Sequence, residues 1–567
     1  MMPTVFRPDL HAPRILDQLV HGFFLDLGHV DAGFFSVGQA MGVRPQACLP
    51  GDRATTALAT VGLLGYLIAD HYTGVGINDA ALFHVGNGMT GLQREMWLPI
   101  AGVLLASFLC LGGVAYGLNR AASRKNHSSQ PIVHQRRFKI TGIILVVLAI
   151  VINPGFSQTG AMFTASWLAQ QNVENVMEHA KPPTAFVPSA TDQPISAVYI
   201  YAEGLEAAFM DEQKFPGLMP NLNRLAKQAV QIKGIKQVSF TGWTAAGQIA
   251  SNCGFPGLEG KVLFASDGAR WPCASNLLAK EGYEMVYLNG SSLEFADKGA
   301  FWRDRGYAKA YGDREVNRLA GSPQATLSAW GAYDDMLMEA SWNEYGRLSQ
   351  QETPFVLTLL TVDTHAPLGL ETPSCKKIPR YTWKGKDADS AKLLQAIHCA
   401  DYLLGGLLDR LLPTLPQDTI VIIQSDHLQT PRADVFPLLG RPSTRDNLFL
   451  AWGTAHPPGI VSRQATMFDV APTFLSLLNR KPGALNLGRD LFSPEPTLVE
   501  THGMPWLEQR MLAAMTDHRM GEAHFVEHQR DKEADARLRG ERSRARPFGD
   551  PHLGNQVPSE TEGSKNE

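Results

Sequence analysis

The chain has 567 residues, of which 44% are hydrophobic and 19% are charged. This length exceeds that of one average domain, and the composition is typical of a sequence that folds around a large core. The formal net charge of −4 is the sum of many charges of both signs. A global preference for nucleic acid therefore has no support, and we exclude nucleic acid as a partner.

Three apolar stretches in the first third of the chain predict a membrane anchor. They cover residues 54–69, 97–118 and 138–152. The second is long enough to cross a hydrocarbon core of roughly 30 Å, whereas the other two are short and by length alone fit buried helices or signal-like segments equally well. Because the three runs follow one another and no comparable run occurs later, we expect all three to be transmembrane helices.

The loop between the second and third apolar runs sets the expected orientation of the anchor. Short basic loops remain in the cytoplasm, so the third helix leads the chain outward and everything after about Pro154 lies on the far side. The basic residues of this loop are Arg120, Arg124, Lys125, Arg136, Arg137 and Lys139.

Four cysteines of the outer part form two closely spaced pairs. In an oxidising compartment they would form the bridges Cys253 to Cys273 and Cys375 to Cys399. Spacing alone does not prove this connectivity, and unpaired buried thiols are the alternative.

The remaining composition divides the chain into segments. The first residues have no clear period, a Pro-, Thr- and Ser-rich stretch is typical of a linker, and the C-terminal end has the mixed charge and low apolar content of a disordered tail. We expect an undefined segment over 1–53, an anchor over 54–158, a membrane-proximal helix and linker over 159–196, a catalytic domain over 197–515, and a tail over 516–567.

The catalytic domain alternates short apolar runs with longer helical periods. Near-continuous apolar strands between helices predict an α/β fold with a mostly parallel sheet covered on both faces. The predicted strands cover 197–202, 284–288, 355–362, 419–424 and 447–452, and the predicted helices cover 219–230, 274–282, 334–348 and 390–412.

Polar residues follow three of the predicted strands. Glu203 follows the first, Asp363 and His365 follow the third, and Asp426 and His427 follow the fourth. Ligands of open α/β sheets bind at the carboxyl ends of the strands, and mixed carboxylate and imidazole ligands suit a divalent cation. Each of these residues alone fits a helix cap or a solvated turn equally well. Their recurrence at three strand ends predicts a metal site.

Two hydroxyl groups precede a predicted helix, on Thr241 and Thr244. Backbone N–H groups at a helix N-terminus favour phosphate oxygens, and a metal-bound hydroxyl has a lowered pKa and becomes a nucleophile. We expect one threonine to be catalytic and the other to cap the helix.

Several strings of the sequence carry a family resemblance. The strings V-Y-I-Y-A-E-G-L-E, A-S-N-C-G-F-P, L-T-V-D-T-H, I-Q-S-D-H-L and R-D-N-L-F, with Y-T-G-V-G-I-N-D-A between the apolar runs, span roughly residues 72–491. In these strings the chain resembles the sulfatase-like phosphotransferases of the alkaline phosphatase superfamily. This family includes lipoteichoic acid synthases, lipid A phosphoethanolamine transferases and, most similar, phosphoglycerol transferases of osmoregulated glucan synthesis.

The resemblance implies roles for individual residues. The resemblance favours Thr244 over Thr241 as the nucleophile. The chain departs from the family pattern at Gly204, where a serine is common after the metal-binding glutamate. For Lys298 and His365, the alternatives are a surface lysine and a strand-end histidine without a role in binding phosphate. The implied metal ligands are Glu203, Thr244, Asp426 and His427, around one manganese, magnesium or zinc ion, with His365 and Lys298 near the phosphoryl group.

The implied activity is transfer of phosphoglycerol from phosphatidylglycerol to periplasmic glucans through a phosphorylated threonine. The resemblance also implies a multi-pass protein of the inner membrane with a periplasmic catalytic domain. A phosphoethanolamine transferase acting on lipid A or a glycan is the alternative. A sulfatase is disfavoured because Cys253-Gly-Phe-Pro lacks the C/S-x-P-x-R pattern, and a non-enzymatic sensor is disfavoured by the complete ligand set.

Overall fold

The fold is described from a computed structural model. The two predicted membrane runs at 97–118 and 138–152, the N-terminal segment 1–53 and nearly all of the predicted tail lie outside the described residues. In the part of the chain that is described, no helix has the length and apolar character of a membrane span. The described residues are 153–172, 176–181, 183, 194–256, 272–328, 330–365, 369–430, 434–480 and 482–516, with short pieces between 62 and 77.

The centre of the described fold is an eight-stranded sheet with the order β4-β3-β5-β1-β6-β7-β2-β8. Every neighbouring pair is parallel except the two pairs that contain β7. The predicted α/β fold with a mostly parallel sheet is therefore confirmed. The strands are β1 (Ser196–Ala202), β2 (Val230–Lys236), β3 (Glu284–Asn289), β4 (Lys309–Tyr311), β5 (Phe355–Leu360), β6 (Thr419–Ser425), β7 (Phe449–Trp452) and β8 (Gly459–Thr466).

The three central strands are buried along their whole length. Successive side chains of a strand point to opposite faces, so Tyr199 and Tyr201 of β1 pack into one hydrophobic layer, while Val198 and Ile200 pack into the other. Both faces of the sheet are covered, which explains why these strands are apolar without alternation.

Helices cover both faces of the sheet. The α-helices of the described part of the chain are α1 (Pro154–Asn172), α2 (Pro220–Ala226), α3 (Thr244–Cys253), α4 (Ala274–Lys280), α5 (Lys298–Asp304), α6 (Asp313–Leu319), α7 (Asp334–Leu348), α8 (Ala388–Leu411), α9 (Phe436–Leu439), α10 (Val470–Leu477), α11 (Leu498–His502) and α12 (Met504–Thr516). A small antiparallel pair, β9 (Ala484–Leu485) and β10 (Gly488–Arg489), forms a separate two-stranded sheet.

The predicted helix at 334–348 matches α7. For the helix predicted at 219–230, the predicted C-terminal bound was wrong. The helix α2 ends at Ala226, and β2 already begins at Val230. The strands β2, β4 and β8 were not predicted. In β8 most side chains are exposed or half-buried, because this strand lies at the edge of the sheet. An edge strand lacks the continuous apolar run that the prediction required.

Two disulfides connect the elements around the sheet. Cys253 at the end of α3 is bonded to Cys273, directly before α4, and Cys375 is bonded to Cys399 in α8. The membrane-proximal part is also tied to the domain, because Lys181 and Asn486 exchange two backbone hydrogen bonds of 2.8 and 2.7 Å. The segment 159–196, predicted as a membrane-proximal helix and linker, is thus held at Lys181, and its last residue, Ser196, belongs to β1.

Candidate metal centre

The polar residues predicted at strand ends lie on one rim of the sheet. Strand β1 is parallel to β5 on one side and to β6 on the other. Their carboxyl ends therefore point the same way. Glu203 and the pair Asp426 and His427 follow β1 and β6 directly, and His365 lies five residues after the end of β5. The topology of three neighbouring parallel strands is what brings these residues from distant parts of the sequence to one rim.

Glu203, Asp426 and His427 form a cluster suited to a metal ion. One ligand atom of each lies within 4.8 Å of the others. His427 Nε2 is 3.0 Å from Glu203 Oε1 and 3.6 Å from Asp426 Oδ2. The other ring nitrogen, Nδ1, lies 2.8 Å from the carbonyl oxygen of Leu428. That contact favours a proton on Nδ1 and directs Nε2 towards the cluster, as in histidines that bind metals.

The carboxylate of Asp426 has one satisfied and one unsatisfied oxygen. Its Oδ1 accepts hydrogen bonds from the backbone N–H groups of Gly204 and His427, both at 2.9 Å. Its Oδ2 is buried and has no hydrogen-bond partner within the described part of the chain. A buried carboxylate oxygen is costly without a partner, and a cation at the cluster would supply one. The residues therefore fit a bound divalent ion.

Thr244 joins this cluster and Thr241 does not. Thr244 is the first residue of α3, and its hydroxyl donates to Glu203 Oε2 over 3.1 Å. Thr241 is fully buried, and its hydroxyl donates to the carbonyl of Val238 at 2.8 Å and accepts from the N–H of Val238 at 3.1 Å. Thr241 thus closes the turn before the helix and does not cap it, so the predicted capping role was wrong, whereas Thr244 presents its hydroxyl to Glu203.

Helix α3 lies directly against the metal cluster through a glycine. A Cβ atom on Gly247 would come within 1.8 Å of the carbonyl oxygen of Asp426. Only glycine allows the helix backbone to approach the end of β6 this closely. Gly247 thereby sets how near Thr244 lies to the ligands. The glycine is visible in the string A-A-G-Q-I-A-S, but the sequence alone did not predict its role.

Two threonines hold the backbone of Glu203. The Glu203 N–H donates to the Thr361 hydroxyl at 2.9 Å, and the Thr364 hydroxyl donates to the Glu203 carbonyl. Both threonines are buried at the end of β5. Sequence reasoning missed these roles, although both residues belong to the string L-T-V-D-T-H.

The electrostatics of the cluster favour a cation. Burial, and then the Glu203 carboxylate, raise the pKa of Asp426 to about 8. Burial disfavours the charged form of His427, but Asp426 and Glu203 outweigh it and raise the pKa of His427 to about 10. Burial also opposes the charge on Glu203, yet His427 and His365 hold its pKa well below the usual range. Two buried carboxylates this close require a compensating positive charge.

Two further predicted residues lie near the cluster. The His365 ring packs against Trp330 with centroids 4.0 Å apart. Lys298 is buried, so it is not a surface lysine, and its Nζ donates to Ser291 Oγ at 2.5 Å. Burial lowers the pKa of Lys298 to about 8, although the carboxylates of Glu203 and Asp426 act in the opposite direction.

Asp363, which also follows a strand, is turned away from the cluster. Its Oδ2 accepts from the N–H of Asp334 at 2.9 Å, and Asp334 in turn accepts from the N–H groups of Val362 and Asp363 at 2.8 and 3.1 Å. These reciprocal bonds join the end of β5 to the start of α7. The cluster therefore contains Glu203 and the two residues that follow β6, but not Asp363.

Comparison with known proteins identifies the family of the chain. Residues 196–480 match the family described as Sulfatase. The chain belongs to the sulfatase family. Residues 53–172 match the family described as phosphoglycerol transferase I, N-terminal domain. Together these matches confirm the resemblance noted in the sequence.

Two similar curated proteins are both named phosphoglycerol transferase I. Phosphoglycerol transferase I of Xanthomonas campestris pv. campestris is 36% identical over 307 residues, which are 52% of this chain and 42% of the relative. Phosphoglycerol transferase I of Escherichia coli O139:H28 is 27% identical over 452 residues, 77% of this chain and 56% of the relative. The chain thus spans about half the length of the curated relatives it matches.

Among solved structures, the lipoteichoic acid synthase LtaP from Listeria monocytogenes is similar with a TM-score of 0.48 at 15% identity. The match covers 61% of this chain and 97% of that one.

Proposed function

We propose that this sulfatase-family chain is a membrane-anchored, metal-dependent transferase that moves phosphoglycerol from phosphatidylglycerol to a periplasmic glucan. The observation that carries the proposal is the Thr244 hydroxyl, 3.1 Å from Glu203 in the cluster with Asp426 and His427. The names of the curated relatives support the identity of the transferred group.

Glu203, Asp426, His427 and Thr244 would hold the metal ion. Their mixed oxygen and nitrogen donors suit manganese, magnesium or zinc. When bound, a divalent ion lowers the pKa of a coordinated hydroxyl and offsets charge on phosphoryl oxygens. The orphaned Oδ2 of Asp426 supports this assignment.

The first half of the transfer uses the Thr244 oxygen as the nucleophile. Thr244 gives up its hydroxyl proton, and its oxygen attacks the phosphorus of phosphatidylglycerol. The bond from phosphorus to the diacylglycerol oxygen breaks, diacylglycerol leaves as an alcohol carrying a proton, and a glycerophosphoryl ester remains on Thr244. The backbone N–H groups at the start of α3 favour the phosphoryl oxygens, and Lys298 and His365 are proposed to bind them.

The second half reverses these bonds with a different alcohol. A glucan hydroxyl attacks the phosphorus and loses its proton, the ester to Thr244 breaks, and Thr244 regains a proton. The three apolar runs of the sequence would keep the domain at the membrane that contains the lipid donor. The two disulfides suit the oxidising periplasm, on the outer face of the inner membrane.

The test is transfer from headgroup-labelled lipids by the full-length protein in liposomes. We expect label to reach an added glucan from phosphatidylglycerol, to be lost after chelation, and to return with a divalent ion. Label from phosphatidylethanolamine instead would identify a phosphoethanolamine transferase. Folded, metal-loaded protein that transfers neither headgroup would contradict the proposal.

A further inference from the structure

The string R-D-N-L-F has no role in the chemistry described above, yet its arginine is buried. Arg445 Nε lies 3.0 and 2.9 Å from the two carboxylate oxygens of Glu206, and Nη2 also donates to Glu206. Both side chains are almost fully buried, at 3% and 0% exposure. A buried ion pair contributes little net stability compared with apolar residues of similar volume. The pair is therefore important for the groups that it holds in place rather than for net stability.

The ion pair holds the backbone of Gln429 from both sides. The N–H of Gln429 donates to Glu206 Oε2 at 3.2 Å, and the carbonyl of Gln429 accepts from Arg445 Nη2. Gln429 is two residues beyond His427, and Glu206 is three residues beyond Glu203. The pair thus connects the segments that follow two of the predicted metal ligands.

The side chain of Gln429 reaches the third strand end. Its Nε2 donates to the carbonyl of Thr364 at 2.8 Å, and its Oε1 accepts from the N–H of Thr430 at 2.9 Å. The Thr364 hydroxyl in turn donates to the carbonyl of Glu203. A continuous set of hydrogen bonds therefore runs from Arg445 through Gln429 and Thr364 to the backbone of Glu203.

The amide of Gln429 occupies space that a side chain on residue 204 would need. Gly204 has a φ of 60°, and a Cβ there would lie 2.8 Å from Gln429 Nε2. The N–H of Gly204 also donates to Asp426 Oδ1 at 2.9 Å. The glycine that follows Glu203 and the glutamine that follows His427 are therefore sterically matched.

We propose that Glu206, Arg445 and Gln429 form a positioning unit that sets the spacing of the three strand ends around the metal ion. This inference rests on the proposed function, because it concerns the same metal centre. None of the three residues contacts the reacting atoms in the proposed chemistry. They act through Thr364, Gly204 and the backbone that carries Glu203 and His427.

The test compares Mn²⁺ affinity with stability in the full-length protein in detergent. Removing groups that orient metal ligands typically costs about 10–100-fold in metal affinity or activity. We expect Gln429→Ala and Arg445→Lys each to weaken Mn²⁺ binding in calorimetric titration by about tenfold or more. Both variants should lower kcat for phosphoglycerol transfer while KM for phosphatidylglycerol stays close to the wild-type value.

Arg480→Lys is the matched control. Arg480 is a second buried arginine, 2.7 Å from Glu281, and neither residue lies on an element of the metal centre. Arg480→Lys should lower the unfolding temperature without changing Mn²⁺ affinity. If Arg445→Lys lowers only the unfolding temperature, or if Gln429→Ala keeps the wild-type Mn²⁺ affinity, the positioning role is overturned. Gln429→Ala alone decides the matter if Arg445→Lys does not fold.

A double-mutant cycle tests the steric match between residues 204 and 429. Gly204→Ala should weaken Mn²⁺ binding in the wild-type protein, because the new Cβ displaces the Gln429 amide from Thr364. Gly204→Ala should lower Mn²⁺ affinity clearly less in the Gln429→Ala protein, because the Gln429 amide is then absent and only the backbone strain, which is common to both proteins, remains. Equal effects in both backgrounds would contradict the match. A wild-type protein without transferase activity would refute the proposed function, while the Mn²⁺ comparisons would still decide the positioning role.

Discussion

The Thr244 hydroxyl lies 3.1 Å from the Glu203 carboxylate, although 41 residues separate the two in the chain. The contact exists because α3 begins at Thr244 and lies against the end of the central strands. The neighbouring Thr241 hydroxyl is instead paired with the backbone of Val238. The two threonines should therefore respond differently to substitution.

Thr241→Val should destabilise the protein without removing its chemistry. The change leaves the buried N–H of Val238 without its partner, at a cost of about 1–3 kcal/mol. Denaturant unfolding should show this loss, while kcat per folded molecule stays near the wild-type value. A Thr241→Val protein that is fully stable but inactive would mean that the roles of the two threonines are reversed.

Gly247→Ala should disturb both folding and metal binding. The added methyl group would overlap the Asp426 carbonyl, which lies 1.8 Å from the ideal Cβ position. Overpacking of this kind typically costs about 1–3 kcal/mol, and here it also pushes α3 away from the ligands. Mn²⁺ titration and denaturant unfolding should both report the change.

The control for Gly247→Ala is Gly346→Ala in α7. No heavy atom lies within 4 Å of the ideal Cβ position of Gly346. This change should stabilise the helix by up to about 1 kcal/mol and leave Mn²⁺ affinity unaltered. Equal behaviour of the two variants would show that the close approach at Gly247 is unimportant.

The Cys253–Cys273 bridge should stabilise the domain and secure the helix that carries Thr244. Its cysteines are 20 residues apart in the chain, and loops of this size correspond to about 2–4 kcal/mol. Replacing both cysteines with serine should lower the free energy of unfolding by that order.

The second bridge provides the comparison for this prediction. Cys375 and Cys399 are 24 residues apart, so their replacement should cost similar stability. Transfer at a temperature well below unfolding should fall more for the first pair, because Cys253 ends α3. Unchanged stability in dithiothreitol would show that neither bridge forms in the folded protein.

The transfer rate should fall as the pH rises through about 8, owing to Lys298. Burial lowers the pKa of this amine from 10.5 to about 8, so the folded protein loses the proton before the unfolded chain does. Between these values the unfolded state binds more protons, and the contribution of Lys298 to stability therefore rises with pH. Activity and this contribution should change in opposite directions over the same interval.

Variants of Lys298 separate this group from others that titrate. Lys298→Arg retains the charge and should shift the alkaline decline of kcat/KM to higher pH, whereas Lys298→Met should remove that decline and lower the overall rate. Profiles at constant ionic strength are the measurement. An alkaline decline that is identical in Lys298→Arg would assign it to another group.

Much of the rim could be predicted from the sequence because the central strands are buried on both faces. Buried strands are near-continuous apolar runs, so β1, β5 and β6 were recognisable, and the polar residues directly after them were visible as candidates. The alternation of strands and helices also indicated the parallel sheet. Helix α7 was predicted with its bounds, since its apolar residues recur at helical spacing.

The supporting contacts could not be predicted because they join residues that are far apart in the chain. Arg445 and Glu206 are 239 residues apart, and nothing in the local sequence of either indicates the other. Gly247 looks like a weak helix residue until the end of β6 is placed against it. Strand β2 has no continuous apolar run, because Gln231, Lys233 and Gly234 interrupt its apolar residues, and its pairing with β8 is a tertiary feature.

The most direct test of the central claim is to trap the covalent intermediate on Thr244. The full-length protein, loaded with a divalent ion, is incubated with headgroup-labelled phosphatidylglycerol in the absence of glucan, and its peptides are examined by mass spectrometry. We predict a glycerophosphoryl group on Thr244 that is absent in Thr244→Ala, is retained in Thr241→Val and disappears when glucan is added. A glycerophosphoryl group on another residue, or glucan labelling that persists in Thr244→Ala, would contradict the account.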